Sequence, residues 1–147
     1  METILVSKCL AGSYCRYDGG TNLVPEIQRL VEQGFAVTAC PEELGGLPTP
    51  RVPSERHNSR VVSREGLDVT LEFESGAEAA LRIARENGCQ TAVLKSRSPS
   101  CGKGCIYDGS FTGKLVAGNG VTTDLFLKNG IRVITEEEFL STSQMGP

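Results

Sequence analysis

The chain has no tryptophan, a single histidine (His57), and aromatic residues at only 5 % of its 147 positions. So few stacking rings weigh against a protein that grips single-stranded nucleic acid. One imidazole excludes a zinc site leaning on several histidines, while thiolate-only ligation stays open. There is no basic surplus either. Lys plus Arg total 15 against 18 for Asp plus Glu, a net charge of −3, the wrong balance for a protein living on phosphate neutralisation. No apolar run approaches the ~20 residues of a membrane helix. The opening Met1-Glu-Thr-Ile-Leu-Val6 reads as neither a signal nor a transit peptide, so the expected compartment is the cytoplasm.

What is present suits one ordinary domain. The length allows a core without disulfide support. Hydrophobic residues at 39 % and charged residues at 22 % exclude a disordered chain. Six cysteines need an explanation. In a reducing compartment a disulfide scaffold is the wrong one, which leaves inert buried thiols, a catalytic thiolate or a metal site.

Four apolar or β-branched runs, Ile4–Cys9, Phe35–Cys40, Thr91–Ser96 and Ile131–Ile134, read as strands covered on both faces. Between them the spacing predicts helices over Pro25–Gln33, over Thr70–Asn87 with Thr70 as N-cap, and over Gly120–Lys128. A last short turn follows at Glu136–Leu140. The alternation predicts a single three-layer, Rossmann-like α/β domain over 1–140 with a mostly parallel sheet of four or five strands. Residues 41–69 read as an inserted loop with a small hairpin turning near Glu65-Gly66, and 141–147 as a flexible tail. Such sheets carry their sites beyond the carboxyl ends of the strands.

On this reading Cys9 ends the first strand, Cys40 ends the second, and Cys101 follows the third in Ser98-Pro-Ser-Cys-Gly102. All three are expected at one sheet edge. Cys15 and Cys105 each open a Cys-x-Tyr-Asp-Gly stretch, and Cys89 reads as a structural thiol. There is no compact C-x-x-C. Soft thiolates select iron–sulfur clusters, zinc or copper(I), and the glycine-rich loops around these thiols suit backbone that must approach a bulky inorganic ligand. A zinc-binding or thiol-redox protein is the competing reading of the same cysteines.

Three motifs in order carry a resemblance. They are Ser7-Lys-Cys-Leu-Ala-Gly12 with Cys15-Arg-Tyr-Asp-Gly19, Cys40-Pro-Glu-Glu-Leu-Gly-Gly-Leu47 with Pro50-Arg-Val-Pro53, and Ser98-Pro-Ser-Cys-Gly102 with Ile106-Tyr-Asp-Gly109. Together they closely resemble the thiouracil desulfurase family from about residue 3 to about 135. The resemblance implies a [4Fe–4S] enzyme whose cluster is held by Cys9, Cys40 and Cys101, with one iron open to the substrate's sulfur. Cys15 belongs to the first motif and stands as a further ligand or a neighbour of the cluster. Cys105 has no counterpart in the motif. Glu42 resembles the family's acid–base group, and Ser98 or Ser100 its hydroxyl group. The implied reaction is non-redox hydrolysis of a thiolated pyrimidine such as 2-thiouracil, with sulfur left on the open iron. Thiolated nucleosides or nucleotides are the alternative substrates. For Glu42, Arg51, Arg56 and Lys95 a plain structural role remains open beside a role in the site.

Overall fold

The computed structural model describes residues 2–145. Four parallel strands, β1 (Ile4–Ser7), β2 (Ala36–Ala39), β5 (Thr91–Leu94) and β8 (Arg132–Thr135), form one sheet in the order β2-β1-β5-β8. Leu5 of β1 lies opposite Val37 of β2 and Ala92 of β5, which places β1 at the centre. Because side chains alternate along a strand, neighbours serve opposite faces. Leu5, Ala92, Leu94 and Val133 pack with Ala80, Leu81 and Phe126, from helices α3 (Thr70–Glu86) and α4 (Val121–Lys128). Val6, Val93 and Ile134 pack with Ile27, Phe139 and Leu140, from α1 (Pro25–Glu32) and α5 (Glu136–Met145). These two cores make the expected three-layer α/β domain.

The inserted segment differs in detail from its sequence reading. It opens with a short helix, α2 (Pro41–Leu44), that the four prolines of the region conceal. Its hairpin pairs β3 (Ser54–His57) with β4 (Arg60–Ser63) and turns at Asn58, which adopts φ 55°. The expected Glu65-Gly66 turn follows, closed by Gly66 N–H donating to Ser63 O at 2.9 Å, and leads to a bridge between Val62 and Asp68. A second hairpin, β6 (Cys105–Tyr107) with β7 (Leu115–Ala117), was not legible, because its strands are three residues long and β7 is exposed throughout.

Two helix ends also depart from expectation. Thr70 is the first residue of α3, not its cap; its hydroxyl bonds to Val61 and Asp68 Oδ1 receives the Thr70 N–H at 2.9 Å. The last helix runs to Met145, so 141–145 continue a helix where a loose tail was expected, and 146–147 lie outside the described residues. The extension has a physical start. Thr135 and Glu138 form a reciprocal capping box, each side chain taking the other's backbone N–H at 3.0 Å.

Two glycines bring α2 onto α3. A Cβ on Gly76 would fall inside the Pro41 carbonyl, and one on Gly45 inside the Glu72 carbonyl. The backbones touch there, which fixes the helix that starts immediately after Cys40.

Candidate functional site: a thiol-lined cavity at the carboxyl edge of the sheet

A cavity of about 480 Å³ opens where β1, β2 and β5 end. Cys9, Cys15, Cys40 and Cys101 all line it, together with Glu42 and Ser98. The strands end slightly earlier than the sequence suggests. Cys9 lies two residues beyond β1, in a 3-10 turn over Lys8–Ala11, and Cys40 is the N-cap residue of α2. Each thiol is thus held by the first turn after a strand, where the backbone bends across the sheet edge.

Every turn is tied down. Cys9 O accepts from Thr21 Oγ1 at 2.9 Å and from Asn22 N at 3.2 Å, while Asn22 Nδ2 donates to Cys9 Sγ at 3.4 Å. The Cys101 loop is clamped by the start of α4. Val121 N–H donates to Pro99 O at 2.9 Å, Thr122 N–H to Ser100 O at 2.8 Å, and Thr123 Oγ1 to Cys101 O at 2.8 Å. Free N–H groups of a first helical turn are used here to grip the loop. Gly120 permits the approach, since a Cβ there would sit 2.7 Å from Cys101 N.

The thiols perturb one another. Cys9 is pulled down to about 7 by hydrogen bonding from the Cys15 thiol, helped by Asn22 and the charge of Lys95, against the cost of burial. Cys40 is lowered by hydrogen bonding from Cys15 and then by the Glu43 N–H, again against burial. Cys15 is correspondingly raised by its bonds to Cys40 and Cys9. Cys101 is pushed up to about 12 by burial, which the Ser7 hydroxyl opposes and the charges of Cys9, Cys40 and Glu42 reinforce. The four sulfur atoms therefore share one electrostatic environment.

Glu42 projects from α2 and receives Arg51 Nε at 3.0 Å. Arg51 is held in turn by Cys15 O at 2.9 Å and Thr49 Oγ1 at 2.8 Å. Burial raises the Glu42 carboxyl above its ordinary range, and the Arg51 charge partly offsets this. The two serines separate cleanly. Ser98 lines the cavity, and its Oγ accepts the N–H groups of Ser100 and Cys101, both at 3.0 Å. With two N–H bonds accepted, its own hydrogen is left to donate. Ser100 does not line the cavity. It is buried with its Oγ 2.9 Å from Thr122 Oγ1, behind the loop.

Other sequence candidates fall elsewhere. Arg56 pairs with Asp124 at 2.7 Å, away from the thiols, and His57 is exposed. Cys89 sits in the α3/α4 core, as a structural thiol should, and Cys105 is half-buried on β6 outside the cavity. Asp18 and Asp108 accept the N–H two residues on, the turn role their Gly neighbours suggest. Lys95 does face the site, paired with Glu136 at 3.2 Å. Asn22, Ser7 and Glu55 were missed, because a single Asn, Ser or Glu in a loop or short strand carries no sequence signal of its own.

The donor set fits an iron–sulfur cluster. Four soft sulfurs face one cavity, an amide N–H points at one of them, and cationic Lys95 and Arg51 stand beside them. Among the described residues no three His, Cys, Asp or Glu side chains converge as ligands of a single metal ion.

A doubly covered parallel sheet with thiols gathered beyond its strand ends defines an α/β protein with a thiolate-based site. A family model described as 2-thiouracil desulfurase matches residues 4–138, and the chain belongs to that family of C–S bond-cleaving enzymes. It is 43 % identical over 145 residues to the uncharacterized protein YbbK of Bacillus subtilis (strain 168), a match covering 92 % of this chain and 96 % of that one. A solved structure, the [4Fe-4S]-dependent thiouracil desulfidase TudS, is similar with a TM-score of 0.92 and 45 % identity. That match covers 99 % of this chain and 97 % of the other.

Proposed function

We propose that this chain is a [4Fe–4S]-dependent desulfurase that removes sulfur from a thiolated pyrimidine of the 2-thiouracil kind by hydrolysis, with Cys9, Cys40 and Cys101 as the cluster ligands. The observation that carries this is the convergence of those three thiols, from three distant parts of the chain, on one cavity that also holds Glu42 and Ser98. The family and the name of the TudS structure support the same reading. Cys15, between Cys9 and Cys40, is the neighbour rather than a ligand.

When bound, such a cluster supplies a Lewis-acidic iron that draws electrons from a thiocarbonyl and takes the sulfur. The protein's own groups do the rest. Glu42, anchored by Arg51, takes a proton from the attacking water and returns it to the leaving side, where C=S and water become C=O and sulfide. Ser98 donates its hydroxyl hydrogen to the water or the carbonyl-side oxygen, because its lone pairs are already taken by two backbone N–H groups.

The test is anaerobic reconstitution with iron and sulfide, followed by a sulfide-release assay on 2-thiouracil and 4-thiouridine. A brown protein that releases sulfide stoichiometrically with pyrimidine product is expected. A colourless protein holding stoichiometric zinc, with no release, overturns the proposal.

A further inference from the structure

Both small hairpins contribute to the cavity lining, Ser54 and Glu55 from one and Tyr107 and Phe111 from the other, and Glu55 is one of the side chains that join them. Glu55 lies on β3, whose alternation sends Arg56 away to Asp124 and Glu55 to the cavity. Its Oε1 accepts two backbone N–H groups of the β6–β7 loop, Gly109 at 2.9 Å and Phe111 at 3.1 Å. Phe111, also in the cavity wall, adopts φ 58°, and the Arg64 guanidinium lies 5.6 Å from its ring centroid. The other carboxylate oxygen, Oε2, has no hydrogen-bond partner among the described residues. Among the described residues no buried side-chain oxygen is left unpartnered, so Oε2 keeps solvent exposure, on a residue that lines the cavity.

A thiolated pyrimidine carries ring N–H donors on the same ring as its thiocarbonyl. Two carboxylates line the cavity. Glu42 is engaged by Arg51 through Oε1 and carries the acid–base step of the reaction above, which leaves Glu55 as the cavity carboxylate whose free acceptor oxygen has no other task. Nothing in the reaction described above uses it. We propose that Glu55 is a specificity-determining residue whose Oε2 accepts a ring N–H of the substrate, while Oε1 holds the Phe111 loop as the wall against which the ring lies. This rests on the thiolated-pyrimidine reading and deepens it: the enzyme recognises an unsubstituted ring nitrogen. A site built to accept a hydrogen bond rejects an analogue that lacks the donor, because the acceptor is then left unpaired.

Glu55→Gln separates recognition from anchoring. Its amide oxygen can take over both backbone N–H bonds of Oε1, and those bonds orient the amide so that its NH2 replaces Oε2. A donor then meets a donor. The cluster-loaded full chain and its Glu55→Gln variant are compared by sulfide release from 2-thiouracil and by calorimetric binding of uracil, 1-methyluracil and 3-methyluracil. The variant is expected to melt like the parent, to keep kcat within about threefold, and to raise KM and the uracil Kd about tenfold to a hundredfold. The parent is expected to bind one of the two methyluracils at least about tenfold more weakly than uracil, and the variant to lose that preference. Parental uracil affinity in Glu55→Gln, or equal binding of all three bases by the parent, overturns the inference. So does a Glu55→Gln melting temperature as low as that of Glu55→Ala, which would make the side chain a loop anchor only. Absence of sulfide release by the parent counts against the desulfurase reading alone, since the binding comparison still decides the role of Glu55.

Discussion

The ion pair between Glu42 and Arg51 has an arginine side chain only 6 % exposed and a carboxylate 20 % exposed. Arg51 also bonds to Cys15 O and Thr49, so it ties the first and second cysteine motifs together. Arg51→Leu strands a half-buried carboxylate and a carbonyl, and we expect a loss of about 3 kcal/mol in urea unfolding. Glu42→Ala should keep the iron content and the visible absorption but lose about 10²- to 10⁴-fold in turnover. Full turnover by that variant would show that the acid–base role lies elsewhere. Ser substituted singly for Cys9, Cys40 or Cys101 should abolish cluster and activity together, whereas Cys15→Ser, which retains a hydrogen-bonding group between its neighbours, should hold the cluster. Iron and sulfide analysis of the four anaerobically reconstituted variants checks this. That Cys9, Cys40 and Cys101 meet at one edge of the sheet was legible because each sits in a motif with its own local pattern. Which of Ser98 and Ser100 lines the cavity was not, since two serines flanking one proline differ only in which way the loop turns them, and Ser100 is held behind the loop by Thr122, twenty-two residues away.

At the scale of elements, α2 is the part that presents both Cys40 and Glu42, and its place depends on backbone contact with α3. Gly76→Ala puts a methyl group into the Pro41 carbonyl. The expected result is a loss of about 2–3 kcal/mol, reported by denaturant midpoint, together with reduced iron occupancy. Thr135→Ala removes half of the capping box that starts α5 and should cost about 1 kcal/mol. The Glu138 carboxyl in that box is held below its ordinary range, chiefly by the Thr135 N–H. A depressed carboxyl contributes stability above its unfolded pKa and loses it as pH falls through the folded value. The difference between parent and Glu138→Gln, which removes the ionisable group, should therefore shrink in acid. The four sheet strands and three long helices were readable from apolar runs and 3.6-residue spacing. Helix α2 and the hairpin β6–β7 were not, because a four-residue helix that opens on a proline and two strands of three residues are too short for any period to show.

For the whole molecule, two cores on opposite faces of the sheet are built mainly from aliphatic and aromatic side chains, with Cys89 and Cys101 at one and Cys9 and Cys15 at the other, and of the thiols only Cys9, Cys15, Cys40 and Cys101 face the cavity. Removal of the cluster should leave a cooperatively folded protein with unchanged far-ultraviolet circular dichroism. Loading should raise its melting temperature, because a ligand bound only by the native state stabilises it. A chain that stays unfolded until loaded, as small metal-dependent domains do, would contradict this. None of the described helices is long and apolar enough to cross a membrane.

The strand order has a consequence for biogenesis. Cys9 follows the central strand, Cys40 the strand on one side of it and Cys101 the strand on the other. A nascent chain that has paired only its first two strands offers two sulfurs; the third arrives only after more than fifty further residues have been made and docked. Any inorganic guest that demands all three is admitted only once β5 has joined β1, as a certificate that three of the four strands are in place.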